Sequence, residues 1–378
     1  MSIYLDNAAT SFPKPESVYQ AVMHAMRDIG ASPGRGGYRR SLEAGRIMFQ
    51  AREAAAALLS VSDASRIIFT HSATESLNMA LRGVLAPGDH VVTSSMEHNS
   101  LARPLHLLQR QGVEVTIVQA GSDGLIAPLD ITKALTPRTR MIAVSHVSNV
   151  SGTIQPIAEL GAISRDSGVL FLVDAAQSAG CLSIDVDSIG IDLLACPGHK
   201  GLYGPQGTGL LYAAPRVELK PLLSGGTGSN SSSEEQPDGM PDGFESGTHN
   251  LPGIAGLKAG IEFVMQQGVE AIGAHERRLV ALAMERLRGL PGLHFHSPAD
   301  PAVRSGVLSF TVVGHDSSAL AFMLDQRFDI AVRAGLHCAP RAHRTLGSYP
   351  GGTVRMSPGW FTTDNDIELF CDAVEQCL

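Results

Sequence analysis

The chain has 378 residues, 44% hydrophobic and 17% charged, which suits a soluble enzyme with one large unit and one smaller one. Its 29 Lys and Arg face 37 Asp and Glu, a formal charge of −8 that disfavours nucleic acid and anionic membrane as partners. Apolar runs such as "GVLFLV" are far too short to span a membrane, "MSIYLDNAAT" is not patterned as a signal peptide, and five scattered cysteines without a C-x-x-C point to a reducing, cytoplasmic setting.

In chain order, seven short apolar runs predict strands: 66–70, 90–94, 113–118, 140–147, 169–174, 191–196 and 207–213. Most are apolar on both alternations, as strands buried on two faces are. Helix-length segments lie between the first six, at Glu75–Leu85, Asn99–Gln111, Pro128–Leu135 and Ile157–Asp166. This alternation predicts an α/β fold with a mostly parallel sheet, whose ligands sit at the carboxyl ends of the strands. Residues 224–243, rich in Gly, Ser, Pro and acid, read as a flexible loop, either a lid or a subunit contact. Helices near 254–267 and 270–287 follow, then strands at "GLHFH", "GVLSFTVVG", "IAVRA" and "GTVRMS", and a last helix from about Asp364. The expected division is a large α/β domain over 15–253, and a small α+β domain from 1–14 and 254–378.

Several chemistry-bearing residues fall just after predicted strands. Asp174 ends "VLFLVD", where a buried carboxylate needs strong donors, a salt bridge or a cationic ligand atom. Lys200, in "GHKGLYG", is either a solvated loop charge or a Schiff-base lysine. An acid for a pyridinium and a lysine for an aldehyde are what pyridoxal phosphate needs most. Ser72, Ala73 and Thr74 open a helix able to hold a phosphate, and Ser72 with Glu75 also forms a plain capping pattern. His98, Asn149 and Gln177 complete the set: a ring to stack on the cofactor and two amides for its phenolic oxygen. In "AVRAGLHCAPRAH", Cys338 reads as core filler, metal ligand or nucleophile. A zinc site of His337, Cys338 and His343 lacks a second ligand pair at a usual spacing.

The motifs "YLDNAAT", "SATESLN", "EHNS", "SNVSGTIQP", "VDAAQS", "GHKGLYGPQGTG", "FESGTHN" and "RAGLHCAP" occur in that order from residue 4 to 340. They resemble the class V aminotransferase superfamily of fold-type I pyridoxal phosphate enzymes, and within it the SUF-like, type II cysteine desulfurases. The resemblance implies a seven-stranded sheet and a homodimer with its site at the subunit interface. It implies that Lys200 bonds the cofactor and moves the substrate's Cα proton, that Asp174 holds the ring nitrogen and that His98 stacks on the ring. Ala73, Thr74 and His199 would bind phosphate, with Thr248 reaching it from the other subunit, and Asn149 and Gln177 would contact the ring oxygen. Arg355 would clamp the substrate carboxylate with Asn149, with Arg333 and Arg35 nearby. Cys338, as thiolate, would take sulfur from L-cysteine, leaving alanine and a persulfide for a sulfur-acceptor protein, as in iron–sulfur cluster assembly.

Four positions depart from the family pattern. Pro197 replaces a Ser or Thr and has neither hydroxyl nor N–H, so one phosphate contact is expected to be lost. Gly201 is an extra residue, Tyr38 stands where related enzymes carry histidine, and Trp360 lies in a region that usually differs. Rival readings are a selenocysteine lyase, another aminotransferase, lyase or epimerase of the superfamily, and a catalytically silent cofactor- or partner-binding protein.

Overall fold

The computed structural model describes residues 2–34, 36–228 and 232–378. Strands β1 (Ile67–Thr70), β2 (His90–Ser94), β3 (Glu114–Val118), β4 (Thr139–Ser145), β5 (Leu170–Asp174), β6 (Leu193–Pro197) and β7 (Gly209–Ala213) form one sheet in the order β1-β7-β6-β5-β4-β2-β3. All are parallel except β7, which runs antiparallel between β1 and β6. Every residue of β2, β5 and β6 is buried, whereas the edge strand β3 is open over much of its length. That explains the continuous apolar runs inside the sheet and the mixed "EVTIV" at its edge.

Helices cover the sheet. Ala73–Val84 starts where Ser72 Oγ accepts the Glu75 N–H at 3.3 Å, and it buries Leu77, Ala80 and Leu81 completely. Burying each leucine contributes about 1.5–3 kcal/mol. Asn99–Arg110 follows β2, with the His98 ring as its cap. Leu251–Gln267 sends Leu251, Ile254, Leu257 and Ile261 into the same core, beside Glu16–His24 and Arg39–Leu58.

A second core lies under a four-stranded antiparallel sheet of β8 (Leu293–Phe295), β9 (Leu308–Val312), β10 (Arg333–Gly335) and β11 (Thr353–Met356), in the order β10-β11-β9-β8. Ile3 and Leu5 join this core with residues of Val269–Leu287, Ser317–Phe328 and Asp364–Cys377. The segment "IAVRA" is not one strand. Ile330–Ala331 pairs in parallel with Ile3–Tyr4, and the chain then changes partner to enter β10 beside β11. Period-two alternation does not reveal such a change of partner. In the described parts of 224–243, the Gln236 amide donates to Gly243 O (2.8 Å) and Ser246 Oγ (3.0 Å).

Candidate active site

The carboxyl ends of β1, β4, β5 and β6 open onto a cleft whose far wall comes from β10, β11 and the turn between them. Asp174 closes β5 and is 4% exposed; its Oδ1 accepts the Ala176 N–H at 2.9 Å. Burial raises its pKa, while that N–H and the nearby Lys200 pull the other way. Lys200 lies in the turn after β6 and lines the same cleft. Burial pulls its amine down to about 8, with Asp174 opposing, so far more of it is the free base at neutral pH than in an ordinary lysine.

The Lys200 turn is built by close backbone approach. A Cβ on Gly180 (φ +93°) would lie 2.1 Å from Gly201 O, and one on Gly201 would lie 2.4 Å from Ala179 O. The additional glycine therefore seats this turn against the loop after Asp174. Lys14 Nζ fastens it further by donating to His199 O and Ser11 Oγ, both at 2.8 Å.

Ala73 and Thr74 supply the first helical turn, whose amides have no partner within the helix. Thr74 Oγ1 lies 2.8 Å from Ser100 Oγ, and both side chains line the cleft. His199 is there too, its Nδ1 buried without a partner among the described residues. His98 is held down to about 4, first by burial and then by Lys200, Arg355, Arg333 and Arg103, so its ring is neutral. His98 Nδ1 accepts the Ser100 N–H at 3.0 Å. Gln177 donates from Nε2 to Ala8 O at 2.9 Å, and Asn149 from Nδ2 to His337 O at 2.7 Å.

On the far wall, Arg355 is 2% exposed. It donates to Asp6 Oδ1 (2.7 Å) and Asn149 O (3.0 Å), and its Nε has no partner among the described residues. Arg333 sits more openly on the same wall. Cys338 is exposed and lines the cleft. Both His337 (φ 45°) and Cys338 (φ 57°) have left-handed backbones, a strained state for residues with side chains that is found often at functional sites. Two bonds from the large-sheet side pin them: Asn99 N–H to Cys338 O at 2.8 Å, and the Asn149 bond to His337 O.

The residues present fit pyridoxal phosphate. A buried acid, a withdrawn lysine, the first-turn amides of Ala73 and Thr74 and the orphaned His199 Nδ1 converge on one cleft, as its ring nitrogen, aldehyde and phosphate require. Pro197 is the buried last residue of β6 and lines the cleft without a donor. Ser72, Thr74 and Ser100 are hydroxyls at the helix openings that line the cleft.

Two candidates are not in this assembly. Thr248 lines a different depression, with His71, Glu75 and Asn250. Arg35 lies outside the described residues. His337 and His343 are buried and neutral, hydrogen-bonded to Thr353 and Ser348, so neither supplies a positive charge beside Cys338. Among the described residues, no three His, Cys, Asp or Glu side chains cluster as a metal site. Trp360 edges the His275 ring (5.5 Å) and donates its backbone N–H to Tyr203 Oη at 2.8 Å, while Tyr38 is exposed. Sequence reading overlooked Asp6 as the ion partner of Arg355, although it stands inside "YLDNAAT", and it overlooked Ser100 and Lys14.

Comparison with known proteins gives a consistent result. The family model described as aminotransferase class-V matches residues 3–370. A probable cysteine desulfurase from Methanothermobacter thermautotrophicus is 37% identical over 380 residues, covering 99% of this chain and 94% of the relative. A cysteine desulfurase from Klebsiella pneumoniae is 36% identical over 350 residues, covering 89% of this chain and 84% of its own length. The solved apo structure of a cysteine desulfurase from Thermococcus onnurineus NA1 superposes with a TM-score of 0.92 at 33% identity, over 100% of this chain and 94% of that one.

Proposed function

The chain belongs to the class V aminotransferase family, and from that premise we propose that it is a cysteine desulfurase, moving sulfur from L-cysteine onto Cys338 and leaving L-alanine. The observation that carries the reading is that exposed Cys338 shares one cleft with Lys200 and Asp174. An aminotransferase or epimerase has no use for a thiol there. When bound, pyridoxal phosphate supplies the electron sink that makes an amino acid's Cα proton removable.

The chain's own residues then divide the work. Asp174 would hold the ring nitrogen and the neutral His98 imidazole would stack on the ring. The amides of Ala73 and Thr74, the Thr74 hydroxyl and His199 would hold the phosphate, joined by Thr248 of the partner subunit. Asn149 and Gln177 would orient the ring oxygen. Lys200 Nζ, lowered to about 8, takes the Cα proton and returns it. Arg355 binds the substrate carboxylate, its Nε having no other partner among the described residues, and Arg333 adds positive charge on the same wall. The Cys338 thiolate attacks the substrate's sulfur. A sulfur–sulfur bond forms as the carbon–sulfur bond breaks, the electron pair stays on carbon, and a proton completes the methyl group of alanine.

Further parts of the reading are a homodimer, a protein that accepts the persulfide sulfur in iron–sulfur cluster assembly, and a cytoplasmic setting. Exposed Tyr19, Met23, Met26, Leu42 and Phe49 on the first helices support a subunit contact, since such side chains favour burial. No described helix is long and apolar enough to cross a membrane. Supplying L-cysteine with a thiol reductant tests the activity: alanine and sulfide are expected in equal amounts. Racemised cysteine or a keto acid in their place refutes the reading, and turnover of selenocysteine alone assigns the chain to the selenium substrate.

A further inference from the structure

Behind the cleft wall sits an acid that the proposed reaction does not use. Glu97 is 1% exposed, and a carboxyl so withdrawn is costly unless donors or a cation meet it. Among the described residues, its hydrogen bonds come only from neutral donors: Ser94 Oγ to Oε1, and the Ser145 N–H (2.8 Å) and Oγ (2.7 Å) to Oε2.

These bonds tie two parts of the site together. Ser94 ends β2, and Glu97 immediately precedes His98. Ser145 ends β4, lines the cleft and pairs in register with Asp174 on β5. The His146 N–H also donates to Asp174 O at 2.9 Å. One carboxyl thus spans the turn carrying His98 and the strand end beside Asp174. The two buried acids are close enough to repel. Burial raises the Glu97 carboxyl to about 7, against the bonds from Ser94 and Ser145, and Asp174 raises it further. Such a pair is unfavourable unless cations offset it, and a protonated ring nitrogen at Asp174 would add to the nearby Lys200. A strut needing only shape and acceptors could be a glutamine.

We propose that Glu97 is a positioning residue for the cofactor: acting through Ser145 and Asp174, it fixes the His98 turn and adds negative potential behind the acid that holds the protonated ring nitrogen. This rests on the pyridoxal phosphate reading of the cleft.

The test is Glu97→Gln, which keeps the shape and an oxygen for Ser145 but removes the charge. Two readouts are needed: the dissociation constant for pyridoxal phosphate, and the 15N resonance of cofactor labelled at the ring nitrogen. The proposal expects affinity to fall ~10-fold and the resonance to move toward unprotonated pyridine. Wild-type affinity overturns it. So does weakened affinity with an unmoved resonance, which makes Glu97 a structural strut only. Should E97Q fail to fold, Ser94→Ala decides, because it removes the donor to Oε1 from outside the cleft: about threefold weaker binding with the same resonance shift supports the proposal, and unchanged values overturn it. If the wild-type protein itself takes up no pyridoxal phosphate, the cofactor reading fails and this inference falls with it.

Discussion

Arg52→Met should be among the most damaging single changes far from the cleft. Arg52 Nη1 and Nη2 meet Glu245 Oε1 and Oε2 at 2.7 and 2.9 Å, with side chains 10% and 4% exposed. Arg52 also donates to Ile67 O, and Glu245 Oε1 accepts the Phe69 N–H at 2.6 Å, so the pair clamps the "FESGTHN" segment to β1. Removing the arginine leaves a buried carboxylate without its cation, which costs about 3–5 kcal/mol. Urea denaturation followed by far-ultraviolet circular dichroism measures this. The double variant Arg52→Met/Glu245→Gln should recover most of the loss, because glutamine keeps an acceptor for Phe69 without a charge. A cost below about 1 kcal/mol, the range of exposed pairs, or a double variant no better than the single one, would refute the reasoning.

Further outcomes follow from the same structure. Borohydride should fix pyridoxal phosphate covalently to the wild-type protein but not to Lys200→Ala; equal labelling contradicts the lysine assignment. Gly180→Ala should lose soluble protein or cofactor affinity, because its Cβ would collide with Gly201 O at 2.1 Å; an intact variant contradicts that packing. Stability should fall as the pH drops from about 6.5 towards 4, read as the urea midpoint. Burial holds His98, His146, His199 and His343 at about 4 and His337 at about 2 in the fold, so the unfolded chain binds protons first. Glu97 and Glu276, raised to about 7 and 8, and Asp174, raised as well, act in the opposite sense but are fewer. A midpoint that is flat or rises over that interval refutes this balance.

Much of the architecture was legible because β1, β2 and β5–β7 are buried on both faces and so read as unbroken apolar runs. Asp174 was legible because it ends such a run, and Lys200 because it lies in the glycine-rich turn just beyond one. The exchange of partners at Val332 was not, since it depends on the N-terminal strand Ile3–Tyr4, which is remote in sequence. Asp6 was missed for the same reason: its bond to Arg355 joins opposite ends of the chain. The neutrality of His337 was hidden too, because it comes from burial and then from the charge of Arg355 on the neighbouring strand, against the pull of the bond to Thr353.

The most direct test of the central claim is mass spectrometry of the wild-type and Cys338→Ala proteins after brief exposure to L-cysteine without reductant. The account predicts one added sulfur atom on the peptide containing Cys338, and no sulfide release by the variant, which still binds pyridoxal phosphate. Sulfur on Cys181, Cys196, Cys371 or Cys377 in place of Cys338, or undiminished sulfide from Cys338→Ala, would contradict it.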